Sequence, residues 1–134
     1  MKVQTAFEFM LIAIFVLAFI TPIWFYLSQI TLQTEDEFAI SYAKNAANQI
    51  AKKSDLVYSQ GSGASVKIEI YIPRNVKEIN ITGNEINFRL TTSYGETDIF
   101  ANSIANLTGS LPTREGLYLI MIKSEGEYVN ISMT

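Results

Sequence analysis

Three patterns of apolar and polar positions follow one another along this chain. From Phe9 to Leu27 no side chain is charged. As an α-helix that stretch covers roughly 30 Å, the thickness of a bilayer's hydrocarbon core. From about residue 31 the pattern becomes amphipathic with a helical period. Phe38, Tyr42, Ile50 and Val57 fall near one stripe, with Ala39, Ala43, Ala46 and Ala47 beside it. Glu35, Asp36, Lys44, Asn48, Lys52 and Lys53 lie mostly elsewhere, as in a helix that covers a soluble core. Read as one element, the two stretches predict a helix from about residue 5 to about residue 58, ended by Ser59-Gln60-Gly61-Ser62-Gly63. Pro22 withholds a donor from the carbonyl of Ala18 and disfavours helical geometry at Thr21. It predicts a kink, with the helix bent or locally unwound around residues 18–23.

After Gly63 the period drops to two. Val66, Ile68, Ile70 and Ile72 alternate with polar neighbours until Pro73; Ile79 and Ile81, then Ile86, Phe88 and Leu90, do the same on either side of a Gly83-Asn84 turn. These runs predict half-buried antiparallel strands. Residues 94–114 are less regular, with a short strand at Asp98-Ile99-Phe100 and a turn within Ser103–Thr108. Leu117 to Ile122 is apolar at every position, which predicts a central strand covered on both faces. A turn at Glu125-Gly126 and a strand from Tyr128 to Met133 close a hairpin. The expected fold class is α+β, one long N-terminal helix with an antiparallel β-sheet head packed on its second half. The expected divisions are an apolar membrane or assembly helix to residue 30, an amphipathic continuation over 31–60, and a β-domain over 64–134.

Charge then bears on orientation and partners. Lys2 precedes the apolar run and Glu35-Asp36-Glu37 follows it, which favours a cytoplasmic N-terminus and an outward-facing body. Trp24 and Tyr26 sit where interfacial aromatics are favoured. The formal net charge of −3 argues against nucleic acid as a partner and supplies no polybasic patch for anionic lipid. The chain has neither Cys nor His, so thiol chemistry and the commonest general base and metal ligand are missing. No enzyme activity, cofactor or metal site is expected. The acidic run Glu35-Asp36-Glu37 could suggest a metal, but consecutive residues point to different faces of a helix, and the run reads as solvated.

Two polar features remain. Glu8 is an acid at the edge of the apolar run, where an ionisable group either finds a partner or sits at the headgroup level, favoured by the helix dipole. Three Asn-x-Ser/Thr triplets, at Asn80, Asn106 and Asn130, are candidate N-glycosylation acceptors if they lie exposed and outside the cell. Strand parity predicts that Asn80 and Asn130 point outward.

A short basic lead, then Gln4, then Glu8 four residues later, then the apolar helix: this sequence resembles an archaeal type IV pilin-like protein with a class III signal peptide. The resemblance covers about the first thirty residues. It implies a leader of residues 1–3, cut between Val3 and Gln4 by a membrane-embedded prepilin peptidase on the cytoplasmic side. It also implies that the Glu8 carboxylate pairs with the new amine of Gln4 on a neighbouring copy. The partners implied are copies of the chain in a helical filament, the pilus assembly machinery, and the bilayer before assembly. The implied function is a structural subunit of an extracellular filament for adhesion or surface attachment, in a major, minor or priming role. From the residues alone, the alternative is an uncleaved single-span anchor carrying an outward-facing binding module.

Overall fold

In a computed structural model, which describes residues 1–134, one α-helix (α1, Lys2–Gln60) precedes seven strands. The strands are β1 (Ser65–Ile72), β2 (Val76–Thr82), β3 (Glu85–Thr92), β4 (Gly95–Asn102), β5 (Asn106–Gly109), β6 (Gly116–Ser124) and β7 (Tyr128–Met133). The chain is a long N-terminal helix followed by an antiparallel-rich β-domain, an α+β protein. It divides into two compact units, Met1–Glu35 and Asp36–Thr134.

Within the first unit every residue is exposed. The helix continues through Pro22, so the local unwinding expected around residues 18–23 does not occur. Proline removes one backbone donor, and the bonds on either side hold the turn. The hydroxyl of Thr21 also donates to the carbonyl of Leu17 at 2.7 Å.

Within the second unit the core lies between the later part of α1 and the inner faces of two sheets. Ala39, Ala43, Ala46, Ala47, Ile50, Ala51, Ser54 and Val57 form the buried helix face. The large side chains opposite come from the strands, among them Ile70, Ile72, Phe88, Leu90, Ile120, Ile122 and Ile131. Small residues on the helix leave room for large ones on the sheets, which is how such a layer fills without voids. This corrects the expected stripe. Phe38 and Tyr42 are 58% and 47% exposed, because the alanines rather than the aromatics face the core.

One sheet has the order β1-β6-β7-β5 and the other β2-β3-β4. All pairings are antiparallel except β5 with β7, which run parallel from Asn106↔Tyr128 to Gly109↔Ile131. The single antiparallel sheet that alternation suggested is therefore two sheets with one parallel pair. Alternation fixes which face of a strand is buried and says nothing about its neighbour's direction. The β2–β3 turn has Gly83 at φ 59°, the positive value that a tight hairpin takes at its first central residue. At Gly109 (φ 138°) a Cβ would lie 2.0 Å from the carbonyl oxygen of Ile131, so only glycine admits the β5–β7 pairing there.

Strand β6 is internal to its sheet, as its apolar run suggested, but it is covered on one face only. Ile120 and Ile122 are fully buried, whereas Leu117 and Leu119 are 66% and 48% exposed. The only helix of the β-domain lies against the inner face, and no second layer covers the outer one.

Candidate functional site

The first unit offers one continuous exposed apolar surface. Between Phe9 and Leu27 only Thr21 and Tyr26 have a side-chain oxygen; Thr21 is already engaged with Leu17, and Tyr26 lies at the far end of the stretch. The flanking hydroxyls behave alike. Thr5 donates to Met1, Ser28 to Trp24, Thr31 to Leu27 and Thr34 to Ile30, each to the carbonyl four residues back at 2.8–3.1 Å. Hydroxyls turned onto their own helix ask nothing of the surroundings, which suits a helix bordered by hydrocarbon. This helix is long and apolar enough to cross a membrane or to anchor the chain in one. Its large side chains, such as Phe15, Leu17, Phe19 and Phe25, are 58–69% exposed. Each such side chain left in water forgoes roughly 1.5–3 kcal/mol relative to burial. Summed over the stretch, covering these side chains with lipid or protein would be favourable by an amount comparable with the ~5–15 kcal/mol by which a domain is stable.

The implied processing and pairing residues lie in the first two turns. Val3, Gln4 and Glu8 are exposed. Gln4 and Glu8 are four positions apart in α1, on the same helix face and about 6 Å apart along its axis. The Glu8 side chain makes no hydrogen bond or ion pair within the chain. A carboxylate at the entry of an uncharged stretch, with no internal partner, is available to a cation from outside the chain. The two shallow depressions on this helix, one lined by Lys2, Thr5, Ala6, Phe9 and Met10 and one by Trp24, Leu27, Ser28, Thr31 and Leu32, are open grooves between side-chain ridges.

In the second unit two acids of α1 hold the sheet connections. Asp36 is buried, and one of its carboxylate oxygens accepts the backbone N–H of Ser93, at 2.9 Å, in the β3–β4 turn. Bonds from Ser93 favour the charged form and hold the Asp36 pKa below its ordinary 3.8. Asp55 accepts from the hydroxyl of Ser103 and from the N–H of Ile104, at 2.9 Å, in the β4–β5 connection. The run Glu35-Asp36-Glu37 is thus split by the helix, with Asp36 turned to the core and both neighbours exposed. Nothing in the sequence signalled these two latches, since their partners lie 57 and 48 residues away.

Elsewhere Tyr71 donates its hydroxyl to Glu115 at 2.7 Å, and that bond raises the tyrosine pKa. Arg89 pairs with Asp98 at 2.9 Å and lies 3.6 Å from Glu78, interactions that raise the guanidinium pKa further. The three sequons fall in different settings. Asn80 is exposed on β2, an edge strand of its sheet, and Asn106 is exposed at the start of β5, also an edge strand. Asn130 is half-buried on β7, which is paired on both sides.

Compared with known proteins, the chain matches no family model, no curated protein and no solved structure. Any functional reading therefore rests on the residues and their placement.

Proposed function

We propose that the chain is a structural subunit of an extracellular filament of the archaeal type IV pilin-like kind, serving adhesion or surface attachment. In this reading the membrane holds the chain first, with its N-terminus in the cytoplasm. A prepilin peptidase then cuts between Val3 and Gln4, and the apolar helix moves from lipid into contact with the same helix of other copies. Head-to-tail contacts that do not close into a ring generate a helical polymer.

The observation that carries the reading is the uninterrupted, fully exposed apolar helix headed by Gln4 and Glu8 and continuing into a helix that serves as the core of a folded head. A plain anchor also needs the apolar length. It does not need an acid four residues after Gln4 whose side chain has no partner in its own chain. In the filament that carboxylate meets the α-amino group of Gln4 in a neighbour, so that cleavage creates the cation that assembly requires.

Substituting Glu8→Ala in the cells that make the protein tests this. The expected result is a processed subunit that stays in the membrane fraction, with surface filaments lost. Filaments of normal number and length from that variant would contradict the pairing.

A further inference from the structure

Strand β1 is an outer edge of its four-stranded sheet, and β4 an outer edge of the three-stranded one. At their other edges the sheets meet, where the N–H of Leu107 on β5 donates to the carbonyl of Gly83 in the β2–β3 turn at 2.6 Å. The two open edges differ in how their charges are engaged. On β4, Glu96 pairs with Lys77 and Asp98 with Arg89. On β1, the side chains of Lys67 and Glu69 are exposed and make no hydrogen bond or ion pair within the chain. Their cross-strand neighbours on β6 are the apolar Met121 and Leu119.

The backbone of the β1 edge is open as well. The carbonyl of Leu119 accepts from the N–H of Thr134 on the β7 side. By alternation the backbone groups of Ile120 point to β1, and those of its partner Ile68 point back. The N–H and C=O groups of Lys67 and Glu69 therefore face away from the sheet, as a template for another strand. Further along, Tyr71 packs on Tyr42 of α1 with ring centroids 4.9 Å apart, which leaves residues 66–70 as the open run.

We propose that this run pairs with the same run of a second copy, antiparallel and centred on Ile68. In that register Lys67 stands opposite Glu69 of the second copy, and Glu69 opposite its Lys67, on the outer face. On the inner face Val66 stands opposite Ile70 of the second copy, and Ile68 opposite its counterpart. Val66 and Ile68 are half-buried in the single chain, and the second copy extends their cover. Other registers fail. Moving the centre to Lys67 sets lysine against lysine, and moving it to Glu69 sets glutamate against glutamate. A register that sets odd positions against even ones turns the apolar residues to the wrong face. A lone lysine on an edge keeps other strands away. Here the glutamate two residues on makes the edge complementary to itself, and the contact is isologous and closed.

The two-fold axis passes between the two Ile68 residues, normal to the sheet, and reverses every direction in the sheet plane. The stretch of α1 packed on the sheet therefore runs oppositely in the two copies. Successive copies in one polar filament are not related in this way, so the contact joins copies in two filaments of opposite direction. It goes beyond the filament reading and fails separately. A chain that begins at Gln4 in surface filaments and shows no pairing at Ile68 removes the lateral contact and leaves the filament.

The chain has no Cys, so a single Ile68→Cys substitution reports the pairing. The two Cα atoms would lie about 4.5 Å apart, as in a non-hydrogen-bonded pair, within the roughly 4.4–6.8 Å that a disulfide spans. Val66→Cys, on the same face, is the control, because its two copies would lie roughly 14 Å apart. The full chain in detergent micelles is oxidised and the disulfide-linked dimer is measured. All four positions, 66–69, are exposed or half-buried, so the variants keep the fold. Ile68→Cys should give at least about fivefold more dimer than Val66→Cys. Adding Lys67→Glu or Glu69→Lys to Ile68→Cys should remove most of that excess, and adding both should restore it. Equal cross-linking of Ile68→Cys and Val66→Cys overturns the pairing. An excess that the single reversals leave intact, or that the combined reversal does not restore, overturns the register about Ile68.

Discussion

The two parts of α1 are one helix with opposite habits. In residues 9–27 most side chains are large and apolar, and all are exposed. In residues 36–60 the buried face is mostly alanine, and it is the part with a core. Hydrophobicity alone would have ranked them the other way. What decides burial is whether the chain supplies a complementary surface. The β-domain supplies one for Ala39, Ala43, Ala46 and Ala47, and nothing in the chain supplies one for Phe15, Phe19 or Phe25. The alanine part is finished by folding. The aromatic part is left exposed by folding.

That contrast can be broken by paired substitutions, each measured by unfolding of the full chain in detergent micelles. The largest effect belongs to Phe88, which is fully buried. Phe88→Ala should destabilise the β-domain by about 3–5 kcal/mol, while Phe19→Ala should leave its stability within ~0.5 kcal/mol. Equal losses from the two would show that the domain depends on the aromatic part after all. Next comes overpacking. Ala47 has no exposed surface, so Ala47→Leu should cost about 1–3 kcal/mol, whereas Ala13→Leu, on the exposed part, should cost the domain nothing measurable.

A smaller effect concerns the acid latch. Because the folded pKa of Asp36 lies below its unfolded value, its contribution is present above the ordinary carboxylate pKa of 3.8. It is lost as pH falls through the folded value. Wild-type midpoints should therefore drop more steeply between about pH 5 and pH 2 than those of Asp36→Asn. Parallel curves would mean that the bond to Ser93 adds no pH-linked stability. The smallest effect is expected at Arg89. Its ion pairs with Asp98 and Glu78 are exposed, so Arg89→Met should shift the midpoint by under about 2 °C, and less again in high salt.

The sequence made the long helix, its apolar first part and most strands legible, because period and length are local properties. Alternation at Val66–Ile72 and Ile86–Leu90 identified the inward residues that the core uses. Three things were not legible. The parallel pairing of β5 with β7 depends on where the chain returns after residue 102. The exposure of Leu117 and Leu119 depends on the absence of a second covering layer. The latches of Asp36 and Asp55 join residues far apart in sequence. Of the candidate site, the Gln4–Glu8 spacing was visible as a pattern.

The beginning of the chain decides between assembly and anchoring. Intact mass and N-terminal peptide analysis of the protein in sheared surface filaments is the most direct measurement. It should find a chain starting at Gln4, with Met1, Lys2 and Val3 removed. A surface-exposed protein that retains Met1, remains in the membrane and forms no filaments would contradict the assembly reading and leave the anchored module in its place.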